Sequence, residues 1–136
     1  MFVILVRHGR AESGYTNPER PLTSKGKNDI EMLGKYLYKE SVQVDQVWHS
    51  GICRAQQTAE ILAKHLSFKN DLIQMSNLSP NSNPETIRIA LNAEAKNILL
   101  VSHLPFIDYL SNLMITGNME ADLIHFPPGS AAKLIK

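Results

Sequence analysis

The chain has 136 residues, enough for one domain with a substantial core, and 43% of them are apolar against 20% charged, an ordinary soluble composition. A formal charge of +1 and the lack of any Lys/Arg cluster argue against nucleic acid as a partner. The single cysteine, Cys53, excludes an internal disulfide; Met1 to Val6 is too short for a signal-peptide core, and no stretch reaches transmembrane length, so a cytoplasmic protein without a membrane partner is expected.

Phe2 to Val6 is a continuous apolar run rich in β-branched residues and predicts a fully buried strand. Arg7 to Pro21, rich in Gly, Ser, Asn and Pro, predicts a loop. Thr23 offers a cap for a helix to about Glu40, with Ile30, Leu33 and Leu37 on one face. Val44 to Trp48 is the second predicted strand. Ser50 is the expected cap of the next helix, whose apolar stripe is Ala55, Ala59, Leu62 and Leu66. A short strand over Asp71 to Met75 leads to a turn-rich loop, Ser76 to Asn83. Asn83-Pro84 suits the start of a helix through Leu91. Asn97 to Ser102 predicts another buried strand, and Pro105 opens a helix through Met114. Ala131 to Ile135 is the expected last strand at the sheet edge. No repeat or linker divides the chain, so one domain over 1–136 is expected. Strands alternating with helices predict an α/β fold: a three-layer α/β/α sandwich with a mostly parallel central sheet.

In open α/β sheets ligands bind beyond the carboxyl ends of the strands. The first strand is followed by Arg7-His8-Gly9, the second by His49-Ser50-Gly51 and then Arg54, the fourth by His103-Leu104-Pro105. Parallel strands bring these three segments to one rim, where two arginines and two histidines share a pocket. Such a pocket suits a phosphoryl group. Arginine's planar fork donates paired hydrogen bonds to phosphate oxygens and stays charged, helix starts add N–H groups, and Gly9 lets the backbone approach a ligand. A neutral imidazole is a competent nucleophile toward phosphorus, and phosphoryl transfer asks a protein mainly for positioning and charge stabilisation. The arginines supply the positive charge, so no metal or other cofactor is expected. His49, His65 and His125 have no metal-ligand spacing and read as structural or surface residues.

These segments resemble the histidine phosphatase superfamily, the phosphoglycerate-mutase-like proteins. Arg7-His8-Gly9 matches its R-H-G motif. Ser50-Gly51-Ile52-Cys53-Arg54-Ala55-Gln56-Gln57-Thr58 matches S-x-x-x-R-A-x-x-T, Ser102-His103 matches its late histidine motif, and Pro21-Leu22-Thr23 with Gly26 matches P-L-T-x-x-G. Four elements agree in order between Val3 and Pro105, and the short length with Arg20-Pro21-Leu22-Thr23 and Ser102-His103-Leu104-Pro105 is similar to the SixA-type phosphohistidine phosphatases. The resemblance implies a phosphatase with His8 as nucleophile, Arg7, Arg54 and His103 around the phosphate, and Arg20 as a further arginine near the pocket.

Members acting on phosphate esters place a carboxylate after the third strand to protonate the leaving oxygen, but Ser76 to Asn83 holds none. Glu85 lies just beyond, and Glu12 is near the first motif. Imidazole leaving from phosphohistidine, with a reference pKa of about 6.5, needs less help than an alkoxide. The expected substrate is therefore phosphohistidine on a protein, such as a histidine phosphotransfer domain. Two rivals stand: a small phosphate ester handled with Glu85 or Glu12 as acid, and a phosphate-binding module without catalysis. Cys53 lacks the downstream arginine of a cysteine phosphatase, Ala59 standing six residues on. Gly9 and Gly14 lack the lysine of a nucleotide-binding loop, since Tyr15 follows.

Overall fold

Alternation within the strands sets the layering in the computed structural model, which describes residues 1–136. Strand β1 (Phe2–Arg7) sends Val3 and Leu5 to one face of the sheet and Ile4 and Val6 to the other, the two-residue period of a pleated strand. Strand β4 (Ile98–Ser102) divides likewise, Ile98 and Leu100 against Leu99 and Val101. Both faces must therefore be covered. Helices α1 (Ser24–Lys39) and α2 (Cys53–His65) cover one with Ile30, Leu37, Ala55, Ala59 and Leu62. Helices α3 (Pro84–Ala93) and α4 (Phe106–Thr116) cover the other with Ile87, Leu91, Phe106, Ile107 and Leu110. The three-layer sandwich follows.

The sheet has five strands in the order β3-β2-β4-β1-β5, with β2 at Gln46–His49, β3 at Ile73–Gln74 and β5 at Ala131–Ile135. The first four are mutually parallel, and β5 runs antiparallel to β1 at the edge. The connection leaving β4 passes to one face, whereas those leaving its neighbours β1 and β2 pass to the other. Adjacent strands whose connections diverge leave a crevice at their carboxyl ends. Register places Arg7 opposite Ser102 and His49 opposite Val101, so the three predicted motifs leave the sheet at one level.

Several boundaries differ from the sequence expectation. Strand β2 begins at Gln46 because Asp45 and Gln46 both donate their N–H to the Asn97 carbonyl at the sheet margin. Strand β3 shrinks to Ile73–Gln74, pairing only with Trp48 and His49. Inside the loop after β1, Asn17–Glu19 forms a short 3-10 turn. Thr23 caps α1 as expected, accepting the Gly26 N–H at 2.8 Å, and Asn83 caps α3 by accepting from Glu85 N at 3.0 Å. Ser50 does not cap α2. Gly51, at φ +84°, turns the chain between them, so the helix starts at Cys53 and Ser50 stays inside at the strand end.

Candidate active site

Arg7, His8, Arg20, Arg54 and His103 line one cleft of about 540 Å³, together with Arg10, Ala11, Thr23, Leu104 and Pro128. The five predicted polar residues thus meet, and the two imidazole rings lie 4.9 Å apart between centroids, tilted by 53°.

His8 leaves the end of β1 with its N–H donated to the Ser102 carbonyl at 3.1 Å, which fixes its backbone against the neighbouring strand. Its ring Nδ1 lies 2.7 Å from the Gly9 carbonyl. A carbonyl only accepts, so Nδ1 carries the hydrogen and Nε2 keeps its lone pair. Arg54 Nε donates to that Nε2 at 3.3 Å. Burial pushes the His8 pKa down to about 4; the Gly9 carbonyl opposes the shift, and Arg54, Arg7 and Arg20 reinforce it. The ring is neutral at physiological pH, with its free nitrogen directed at a guanidinium.

His103, only 1% exposed, begins the β4–α4 connection. Its Nε2 lies 2.7 Å from Ser50 Oγ, which also accepts the Ile52 N–H at 3.2 Å. The Ser50 hydroxyl therefore donates a hydrogen bond to Nε2, which accepts, leaving the hydrogen of the neutral ring on Nδ1. That Nδ1 is buried without a protein partner, as is Arg7 Nε. Buried donors left unpaired are costly, and an oxyanion in the cleft is the chemistry that satisfies them. Burial, with His8, Arg54 and Arg7 around it, lowers the His103 pKa to about 3.

Three of the four cleft arginines are held by backbone carbonyls rather than by acids. Arg7 Nη1 donates to Phe126 O at 2.8 Å and Arg54 Nη1 to Asn17 O at 2.8 Å. Arg20 Nε donates to Glu12 O at 2.7 Å. Carbonyls orient a guanidinium without neutralising it, so the charge remains available to a ligand. Thr58, one turn after Arg54, accepts the Gly9 N–H at 3.2 Å and donates to Arg54 O at 2.8 Å, tying the first motif to the second.

Gly9 serves a different purpose from the ligand approach expected of it. It is buried outside the cleft lining, and a Cβ there would meet Gly26 O at 3.1 Å and Ile30 Cγ1 at 3.1 Å. Glycine here lets the loop lie on α1. Glu85 is half-buried in the first turn of α3, bound to Arg88, whose hydrogen bonds hold its carboxyl below the usual range; it does not line the cleft, and neither does Glu12. Of the other histidines, His49 Nδ1 accepts the Gly51 N–H at 3.0 Å and His65 pairs with Glu31.

Sequence reasoning missed Ser50, Arg10 and the 126–130 turn. Ser50 stood in the second motif and Arg10 directly after the first, so both were legible as neighbours. The turn was not. Pro127-Pro128-Gly129 reads as a connection, yet Gly129 N donates to His8 O at 3.0 Å, Phe126 O fixes Arg7 and Pro128 forms a wall.

Comparison with known proteins points to one family. The family model described as the histidine phosphatase superfamily (branch 1) matches residues 3–79. The chain is 28% identical over 115 residues to phosphohistidine phosphatase SixA of Escherichia coli (strain K12), covering 81% of this chain and 71% of that protein. It is 33% identical over 72 residues to the mitochondrial serine/threonine-protein phosphatase Pgam5 of Drosophila melanogaster, covering 52% of this chain and only 25% of the relative. A solved structure of the protein histidine phosphatase SixA complexed with tungstate superposes with a TM-score of 0.89 at 26% identity, covering 98% of this chain and 86% of that one.

Proposed function

The chain belongs to the histidine phosphatase superfamily and is a phosphatase, and from that premise we propose that it hydrolyses phosphohistidine on a protein by way of a phosphoryl group held transiently on His8. The observation that carries the substrate is the lining of the cleft, whose ionisable groups are all guanidinium or imidazole, with no carboxylate.

In the first step the His8 Nε2 lone pair attacks phosphorus as the substrate's phosphorus–nitrogen bond breaks, its electron pair leaving with the substrate imidazole. The ring of His8 becomes cationic, and the Gly9 carbonyl that accepts from Nδ1–H stabilises it. Arg7, Arg54 and the Nδ1–H of His103 surround the three phosphoryl oxygens, where charge spreads in the transition state. In the second step water attacks phosphorus as the bond to His8 breaks, His8 keeps the electron pair and returns to its neutral ring, and both hydrogens of the water leave with the product as dihydrogen phosphate. The substrate ring reacts with its second nitrogen, the one not bonded to phosphorus, already protonated from solvent, a site with a reference pKa of about 6.5. It therefore departs as neutral imidazole without a dedicated acid, whereas an alkoxide loses the roughly 10² to 10⁴-fold that one provides. SixA of Escherichia coli, named for phosphohistidine, matches over most of both chains, and the tungstate in the solved SixA is a tetrahedral oxyanion like phosphate.

The test offers the purified protein a histidine-phosphorylated protein beside a panel of phosphate monoesters. Turnover is expected to be fastest on phosphohistidine; faster turnover of a sugar phosphate or phosphoserine peptide overturns the substrate. His8→Ala is expected to lose at least about 10³-fold in kcat while phosphate binding survives, and rapid-quench mass mapping is expected to find the phosphoryl group on His8. Substantial activity in His8→Ala refutes the nucleophile.

A further inference from the structure

Four of the chain's five arginines, Arg7, Arg10, Arg20 and Arg54, line the one cleft, with only Arg88 elsewhere. No lysine and no carboxylate joins them, although the whole chain carries a formal charge of only +1. Three of the four spend hydrogen bonds on backbone carbonyls, as described above. Arg10 is the exception. Its side chain is exposed and makes neither a hydrogen bond nor an ion pair with the protein.

The main chain of Arg10 is nevertheless fixed. Its carbonyl accepts the Thr23 N–H at 2.9 Å, and helix α1 presses so close that a Cβ on Gly26 would lie 2.3 Å from that oxygen. A rigid stem thus holds an uncommitted guanidinium over the cleft. Arg20 folds onto the same stretch, donating to Glu12 O at 2.7 Å and Ala11 O at 3.5 Å, while its charge is also felt by His8 and Arg54, so it stands between the Arg10 segment and the phosphoryl pocket.

Charge matching then asks for more than one anion. A phosphoryl group carries roughly −1.5 to −2 charges near pH 7, which Arg7 and Arg54 already balance. Two further guanidiniums beside them repel one another unless the substrate brings a second negative group. Leu104, apolar and 37% exposed, forms another part of the rim. An apolar contact beside the cations suits a protein surface better than a polyphosphate.

We propose that Arg10, with Arg20 behind it, forms a second anion subsite that takes a carboxylate side chain displayed next to the phosphohistidine of the substrate protein. This rests on the phosphohistidine reading above. Arg10 acts as a specificity residue, meeting the flanking group rather than the phosphoryl group.

The experiment uses two histidine-phosphorylated peptides, one with Glu residues flanking the phosphohistidine and one with Gln in their place. At low salt the wild-type kcat/KM is expected to favour the acidic peptide about five- to tenfold, the range of one or two partly exposed charge-assisted pairs, and the preference is expected to shrink as salt rises. R10A is expected to at least halve that ratio and R10E to reverse it. A ratio between two peptides cancels any general loss of folding or chemistry. Equal turnover of both peptides by the wild type, or a preference that survives R10E, overturns the subsite. So does inhibition by pyrophosphate that depends on Arg10 while peptide charge has no effect, since a second phosphate is then the occupant. Phosphoramidate, a small phosphorus–nitrogen substrate, is measured alongside on the wild type. Turnover of phosphoramidate with equal peptide rates refutes the subsite alone; no turnover of any phosphorus–nitrogen substrate refutes the phosphohistidine reading and the subsite together.

Discussion

Ser50 Oγ stands between the Ile52 N–H and His103 Nε2, and its one hydroxyl decides which nitrogen of His103 faces the cleft as a donor. An imidazole with both nitrogens free tautomerises, so removing the hydroxyl leaves the donor on Nδ1 unenforced. Ser50→Ala is therefore expected to lower kcat about three- to tenfold, the worth of one hydrogen bond of about 1 kcal/mol, with KM changing less. Ser50→Thr, which keeps the hydroxyl, is expected to restore most of the loss. A defect confined to KM, or an equal defect in both variants, removes Ser50 from the machinery. The other residues of the site were legible as types: an R-H-G after a strand, an arginine in the first turn of a helix, a histidine after a strand. What their chemistry could not reveal was the partner of each polar atom, because those partners, Asn17 O and Phe126 O among them, are backbone carbonyls that every residue carries.

At the scale of elements, two glycines let helices sit where the site needs them. Gly26 lies in the first turn of α1, against the backbone of Arg10. Backbone on both sides leaves nothing flexible to give way, so Gly26→Ala forces α1 and the first-motif loop apart. We expect a loss of about 1–3 kcal/mol in denaturant unfolding, together with weaker phosphate binding, since the same loop carries His8. Normal stability in Gly26→Ala disproves the close contact. Gly34 plays the matching part against the His65 ring, 2.7 Å from where its Cβ would stand, and so sets the α1–α2 spacing. Helix faces were readable from the spacing of Ile30 and Leu37, or of Ala55, Ala59 and Leu62, because burial of one stripe is a local pattern. No stripe marks the glycines, and Gly26 was visible only as a motif residue, without its reason. Their requirement comes from a second segment that approaches from elsewhere in the chain.

For the whole molecule, the cost of gathering these groups is a dependence on pH. His8 falls from 6.5 to about 4 and His103 from 6.5 to about 3, both chiefly through burial. Between those values the unfolded chain binds protons that the folded one refuses. Stability is therefore full above about pH 6.5 and declines as pH falls through 6.5 toward 4, steepest where both histidines are protonated only in the unfolded state. Urea unfolding at pH 7.5, 6.0 and 5.0 is expected to show this fall, and His8→Ala is expected to flatten it, having one fewer buried imidazole. A flat profile in the parent protein contradicts the burial of the two rings. Activity is expected to persist to lower pH than an unperturbed histidine allows, because the nucleophile stays neutral until about pH 4.

The amino-acid order by itself determined the alternation of strands and helices, the two-sided burial of β1 and β4, and the residue types that end each strand, since periodicity and turn chemistry act over a few neighbours. Only the tertiary structure decided that Ser50 turns inward to His103, that Gly9 faces a helix, that Glu85 pairs with Arg88 outside the cleft and that Arg10 stands uncommitted at its rim. Each depends on which distant segment the sheet order sets beside it, and pairings between remote strands leave no mark in local pattern.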